Sequence, residues 1–136
     1  MKKLIFVSFM LFGLIYAQEG KDIYKKYCAS CHILKPPMGF MKNKKMQHFD
    51  NIKAPPMAAV SKRVKMFYPK KEDFVRFVVD YIQNPSKEKG VCMPMAYKRF
   101  GTMPPIGKSL SDKEKEKVAN FIYTLNFTCQ ACKMRK

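Results

Sequence analysis

The segment Cys28-Ala29-Ser30-Cys31-His32 constrains this chain more than any other. Two cysteines separated by two residues, with a histidine directly after them, form a C-x-x-C-H pattern that is typical of covalent haem attachment. The two thiols would bind the haem as thioethers, and the histidine would bind its iron from the proximal side. A redox disulfide or a zinc site are other uses of closely spaced cysteines and stay open here. A haem at the centre would also give a small helical chain enough apolar surface to bury.

Residues 1–17 have the pattern of a secretory signal peptide. Lys2 and Lys3 precede an apolar run from Leu4 to Ile15, and Ala17 ends the segment before polar residues. The run is shorter than the ~20 residues that span a bilayer comfortably. We therefore predict cleavage after Ala17 and a periplasmic protein, as covalent haem attachment requires, with an uncleaved N-terminal anchor as the alternative.

The mature chain, residues 18–136, has the length of a single domain, with a short cysteine-containing tail over 127–136. The whole chain carries a formal net charge of +17, and loss of Lys2 and Lys3 leaves +15. Such a charge favours encounter with acidic surfaces. An exported chain seldom meets nucleic acid, so we predict acidic protein partners and no nucleic acid.

The spacing of apolar residues predicts helices and no strand. Helices are expected over 20–27, 58–66 and 72–83, and Ser86 is expected to cap a short helix towards Tyr97. Ser111 and Glu114 form the pattern of a capping box in front of a last helix. Residues 33–56 lack periodicity and predict a long loop. The chain is therefore predicted to be all-α.

Segments at both ends of the mature domain carry a family resemblance. Gly20-Lys21-Asp22-Ile23-Tyr24 precedes the C-x-x-C-H segment, and Thr102-Met103-Pro104-Pro105 precedes Leu110-Ser111-Asp112 and Val118-Ala119-Asn120-Phe121-Ile122. Together these segments resemble the small class I (monohaem) c-type cytochromes. The resemblance implies that the first and last helices cross around a covalently bound haem.

The resemblance also implies particular contacts. Gly20 and Tyr24 would meet Phe121 and Leu125 where the two helices cross. A backbone carbonyl of Pro55 or Pro56 would hold the second ring nitrogen of the proximal histidine. In one departure from the family pattern, Ile33 follows the histidine where a glycine is usual.

A methionine is the expected second iron ligand, because a thioether favours the ferrous state and suits electron transfer. Met103 is the first candidate, since prolines stiffen its loop, Gly101 permits a close approach, and it lies just before the last helix, as the resemblance requires. Met95, Met93 and Met57 are the alternatives. His48 is the other histidine of the chain, and a vacant position is the minority alternative.

Three cysteines lie outside the C-x-x-C-H segment: Cys92, Cys129 and Cys132. In an exported protein the expected use is a disulfide or a redox thiol. Cys129-Gln130-Ala131-Cys132-Lys133 also resembles the lysine-ligated C-x-x-C-K haem site of pentahaem nitrite reductases, with Lys133 as the ligand. A second haem so close to the C-terminus is disfavoured, so we predict one covalently attached haem c.

The predicted function is single-electron transfer between redox partners by an exported c-type cytochrome, with His32 and Met103 on the iron. Acidic reductases, oxidases or peroxidases are the expected partners, and the basic residues expected to surround the exposed haem edge are Lys25, Lys26, Lys35, Lys98, Arg99 and Lys108. The chain has no recognisable catalytic dyad, so we predict that it is not an enzyme. Two alternatives stay open: a haem enzyme or dihaem protein acting on a small sulfur or nitrogen compound, and a haem-bearing subunit that docks on a membrane complex.

Overall fold

The computed structural model describes residues 18–35 and 52–127, and all regular structure in these two ranges is helical. The first helix, α1, covers 18–27 and leads directly into the C-x-x-C-H segment. The other elements are α2 (Met57–Phe67), α3 (Lys71–Gln83), α4 (Pro94–Phe100), a 3₁₀ turn (Ile106–Ser109) and α5 (Asp112–Thr124). The all-α prediction is confirmed.

The first and last helices cross at a glycine, as the resemblance implied. A Cβ atom on Gly20 would lie 2.4 Å from the carbonyl oxygen of Lys117 and 2.8 Å from the Cβ of Phe121. Only a residue without a side chain permits so close a contact between two helices. One turn further along α1, the rings of Tyr24 and Phe121 pack with their centroids 5.5 Å apart. This crossing brings the start of the C-x-x-C-H segment against the final helix.

The core lies where α3 and α2 pack against α5. α3 buries Phe74, Val78 and Ile82, which recur at the spacing of one helical face. From α5, the buried Val118 and Ile122 pack against them. Most charged residues of the two helices are exposed or half-buried, whereas the buried Lys115 of α5 donates to the Gln83 side chain of α3 at 2.9 Å.

Both ends of α5 are hydrogen-bonded. At its start, Ser111 Oγ accepts from the Glu114 backbone N–H and the Glu114 carboxylate accepts from the Ser111 backbone N–H, so the predicted capping box is confirmed. At its end, the fully buried Ser61 donates to the Ile122 carbonyl oxygen at 2.8 Å, and Lys65 donates to that of Leu125 at 3.2 Å. Two carbonyls at the end of α5 thus accept hydrogen bonds from side chains of α2.

The helix predicted from Ser86 towards Tyr97 is wrong. Residues 86–90 form a turn in which Ser86 Oγ accepts from the Lys89 backbone N–H at 3.2 Å. A helix resumes only at Pro94, which has no N–H to donate and therefore suits the first turn of α4. Gly90 ends the turn, and a glycine is required there because the Tyr97 hydroxyl occupies the space that a Cβ would need.

Among the described residues, no helix combines the length and the apolar character that a bilayer crossing requires. The predicted signal segment, His48 and the tail beyond Phe127 lie outside the described ranges.

Candidate functional site

The C-x-x-C-H segment forms a tight turn directly after α1. The backbone N–H of Cys28 donates to the Tyr24 carbonyl at 2.8 Å, and that of His32 donates to the Cys28 carbonyl at 2.9 Å. The turn directs both thiols and the imidazole towards one cavity. Cys28 is buried and Cys31 is exposed. Burial, with a smaller contribution from Cys31, raises the pKa of the Cys28 thiol to about 11, so this thiol is protonated at neutral pH.

His32 is fixed from two directions. Its Nδ1 lies 2.7 Å from the Pro55 carbonyl oxygen, and a carbonyl can only accept, so Nδ1 carries the proton. The Tyr24 hydroxyl donates to the His32 backbone carbonyl. Burial lowers the pKa of the imidazole, although the bond to Pro55 acts in the opposite direction. The neutral ring therefore keeps the lone pair of Nε2 free to bind a metal.

The residues after His32 pair with the start of α2. The Met57 backbone N–H donates to the Ile33 carbonyl at 2.8 Å, and the Ala58 N–H donates to that of Leu34 at 3.0 Å. Among the described residues only Gly101 has a positive φ, so Ile33 adopts an ordinary backbone conformation. The isoleucine that departs from the family pattern therefore causes no backbone strain. These bonds hold Pro55 beside the imidazole.

Most of the predicted site residues line one cavity next to this turn. Cys28, Cys31, His32 and Met103 all line it. The rest of its lining is mainly apolar and comes from α2, α3, α4 and α5, including Val60, Val64, Phe77, Val78, Ile82, Phe100, Ile106, Val118 and Ile122. An apolar cavity that also presents two thiols, a neutral imidazole and a thioether fits a covalently bound haem.

The four candidate methionines occupy different positions. Met103 is partly buried and lines the cavity, in the irregular segment between α4 and the 3₁₀ turn. Met57 also lines the cavity, but it is fixed beside Pro55 through its bond to Ile33. Met93 and Met95 are 61% and 65% exposed. Neither is among the described residues that form the cavity wall.

A cluster of polar groups lies within the apolar wall, and no sequence pattern predicted it. Tyr81, Cys92 and Tyr97 line the cavity together. The Tyr97 hydroxyl interacts with both neighbours, yet it is buried and makes no hydrogen bond of normal geometry. Burial raises the pKa of the Cys92 thiol, with Tyr97 and Arg63 acting in the opposite direction. The only sequence signal was the spacing of Tyr81 on the stripe of α3.

The basic residues predicted to surround an exposed haem edge do not line the cavity. Lys25, Lys35, Lys98 and Lys108 are exposed. Instead, the lysine in the cavity wall is Lys53, which sequence reasoning did not single out. Cys129, Cys132 and Lys133 lie outside the described residues. Cys92 is therefore the one cysteine of that predicted set that the structure places.

Comparison with known proteins identifies relatives over most of the chain. A family described as cytochrome c oxidase, cbb3-type, subunit III matches residues 16–122. A protein of Aquifex aeolicus (strain VF5), described as an uncharacterized protein, is 54% identical over 110 residues, which cover 78% of this chain and 72% of the relative. No solved structure gives a significant match.

Proposed function

Since this chain belongs to the family of c-type cytochromes described as cytochrome c oxidase, cbb3-type, subunit III, we propose that it carries single electrons through one covalently bound haem c with His32 and Met103 as iron ligands. The helices have the class I cytochrome c arrangement, and the family is one of haem-based electron carriers. The observation that carries the proposal is the cavity shared by Cys28, Cys31, His32 and Met103.

Each residue of the site has a distinct role in this proposal. Cys28 and Cys31 would hold the haem as thioethers, and the haem iron would accept and release one electron at a time. Pro55 orients the His32 ring and keeps Nε2 available. The apolar lining excludes water and so contributes to the reduction potential. Met103 is favoured over Met57 because Met57 lies on the His32 side of the cavity.

The proposed location is the periplasm, after cleavage behind Ala17. The basic start and short apolar run of residues 1–17 support it. Covalent haem attachment to a C-x-x-C-H segment takes place on exported chains, which agrees with this location. Acidic redox proteins are the proposed partners, because basic residues outnumber acidic residues 27 to 10.

The intact mass of the protein, purified from a periplasm that matures haem, tests these statements together. The expected mass is that of residues 18–136 plus one haem. A Cys28→Ser/Cys31→Ser variant should carry none, and a Cys92→Ser variant should keep its haem. A mass with two haems would instead make Cys129, Cys132 and Lys133 a second centre. A haem-free protein would contradict the proposal.

Alkylation before the mass measurement counts the remaining thiols. Cys92, Cys129 and Cys132 give three added groups if all are free, and one if two of them form a disulfide. The count therefore tests the disulfide prediction directly, and peptide mapping identifies the pair.

The family description favours a second candidate, a haem-bearing subunit that docks on a membrane complex. Affinity purification from solubilised membranes distinguishes the two. Recovery of a stoichiometric oxidase complex supports the subunit, whereas a monomer in the soluble fraction supports the diffusing carrier. Tight binding of CO to the ferrous protein at neutral pH would favour the haem enzyme instead.

A further inference from the structure

Four large apolar side chains of the described residues are well exposed to solvent. Met66 and Phe67 end α2, and Met93 and Met95 lie at the start of α4, with exposed fractions between 53% and 67%. We call these four residues the Met-Phe patch. Single exposed apolar residues need no explanation, whereas an exposed group of them indicates an interaction site.

Arg63 brings the two halves of the Met-Phe patch together. Its guanidinium carbon lies 4.8 Å from the centroid of the Phe67 ring. Its Nε donates to the Val91 carbonyl oxygen at 2.8 Å. One side chain thus contacts both the end of α2 and the segment that leads into Met93. The patch is therefore assembled from two separate parts of the chain.

The Met-Phe patch lies directly outside the cavity wall. Val91, Cys92 and Ala96 line the cavity. Met93 and Met95 lie between Cys92 and Ala96 in the sequence and are exposed. The same short segment therefore has one side towards the cavity and another towards solvent. An electron donor or acceptor seated on the patch would therefore contact a segment that also forms part of the cavity wall.

The helix faces that carry the patch also carry exposed cations: Lys62 lies one turn before Met66 on α2, and Lys98 and Arg99 lie one turn after Met95 on α4. Residues 57–67 and 91–100 include no aspartate or glutamate, although the chain has ten acidic residues. Their cations besides Lys65, whose ammonium contacts Leu125 and Tyr123 at the end of α5, are Lys62, Arg63, Lys98 and Arg99, and these four form the basic margin. The described acidic residues belong instead to α1, α3, the 86–90 turn and α5. An apolar centre with a basic margin fits a partner with an apolar centre and an acidic margin.

We infer that the Met-Phe patch and its basic margin are the docking surface for a protein redox partner that presents apolar side chains bordered by carboxylates. The inference rests on the proposed function and assigns its contact surface. Stable protein interfaces bury at least roughly 1,200 Å² of surface, and four side chains supply much less than that. Small interfaces of this kind are typical of brief encounters between redox proteins. A second copy of this chain would bring its own cations against the same basic margin.

Voltammetry on coated gold electrodes tests this surface without a known partner. The haem-loaded protein is compared on three monolayers: carboxylate-terminated, methyl-terminated, and an equal mixture of the two. The expected interfacial electron-transfer rate is highest on the mixture, by about fivefold over carboxylate alone. A Met93→Gln/Met95→Gln variant should transfer electrons no faster on the mixed monolayer than on the carboxylate monolayer. Its midpoint potential should stay unchanged.

A charge-matched pair of variants tests the basic margin. Lys62→Gln/Lys98→Gln should lower the rate on the mixed monolayer severalfold at low salt. Lys21→Gln/Lys113→Gln removes the same charge from exposed positions on α1 and α5 and should change the rate far less. Equal losses in the two pairs would show that only net charge matters, which overturns the inference.

The remaining outcomes identify other occupants or a failure at an earlier step. A fast rate on the methyl monolayer that needs no carboxylate would indicate a lipid surface. A dimer in light scattering that the Met93→Gln/Met95→Gln variant dissociates would indicate a second copy. Either result overturns the inference and leaves the electron-carrier function intact. The absence of any reversible haem wave would instead contradict the proposed function itself.

Discussion

The two walls of the cavity differ in how they are held. The attachment wall, residues 24–34 with 54–58, is joined by hydrogen bonds between distant parts of the chain, such as His32 to Pro55 and Met57 to Ile33. The Met103 wall, residues 91–106, has mainly local backbone bonds, and α4 buries none of its residues. Regions with few buried contacts open most readily. We therefore expect the attachment wall, which would hold the haem, to be the more rigid of the two. The Met103 wall, which would supply the second iron ligand, should be the more mobile.

Replacement of the proposed second iron ligand, Met103, gives the largest expected difference between the walls. Met103→Ala should keep the covalent haem but lower the reduction potential by on the order of 100 mV or more, because axial ligation is a dominant control of that potential. Spectroelectrochemistry measures the shift. Met93→Ala and Met95→Ala are the controls and should leave the potential nearly unchanged. If Met57→Leu reproduces the loss and Met103→Ala does not, the ligand assignment is wrong.

Substitution of two glycines compares how much each wall contributes to stability. Gly20 lies at the α1–α5 contact behind the attachment wall, and Gly101 lies in the Met103 wall. Gly20→Ala forces a Cβ against α5 and should lower the free energy of unfolding by about 3 kcal/mol. Gly101 has no neighbour within 4 Å of a Cβ, but its φ of 71° and ψ of −162° suit only glycine. Gly101→Ala should therefore cost about 1–2 kcal/mol. Denaturant unfolding measures both, and a neutral Gly20→Ala would contradict the tight crossing.

Two buried tyrosine hydroxyls provide the next comparison. Tyr24→Phe removes the donor to the His32 carbonyl and should cost about 1–3 kcal/mol of unfolding free energy. Tyr97→Phe removes a hydroxyl without a normal partner, so it should be neutral within about 0.5 kcal/mol or stabilising. Chemical unfolding of the two variants measures the difference. Equal losses would show that the Tyr97 hydroxyl has a partner of its own.

The pH dependence of Cys92 labelling is the smallest expected effect. Burial raises the pKa of this thiol above its usual value of 9.0. The thiolate, which is the reactive form, should therefore be scarce at neutral pH and increase as the pH rises above 9. Peptide mapping after brief iodoacetamide treatment measures labelling, with the urea-unfolded protein as the control. Labelling in the native state that is as fast as in the control would contradict this burial.

Local patterns account for what the sequence predicted well. The apolar stripe of α3, the Ser111–Glu114 capping box and the C-x-x-C-H turn each depend on residues within a few positions of one another. The contact between Gly20 and Phe121 came instead from the family resemblance. The bond between His32 and a proline carbonyl did so as well.

The features that the sequence did not predict depend on contacts between distant segments. Arg63 meets Val91, and the Tyr97 hydroxyl packs over Gly90, only because α2, α4 and the 86–90 turn are brought together. The helix expected after Ser86 is wrong for a local reason instead. Its capping residue was identified correctly as a hydrogen-bond acceptor, but Gly90 and Pro94 limit the structure to a turn.

The contact between Gly20 and α5 also bears on the order of two events, haem attachment and the final packing of the domain. α1 is synthesised well before α5, so the packing that closes the fold joins widely separated parts of the described chain. In a chain that crosses a membrane N-terminus first, the Cys28–His32 segment would emerge long before its covering helix. The thiols would then stay accessible to the attachment machinery until α5 has also emerged, and final closure would follow attachment.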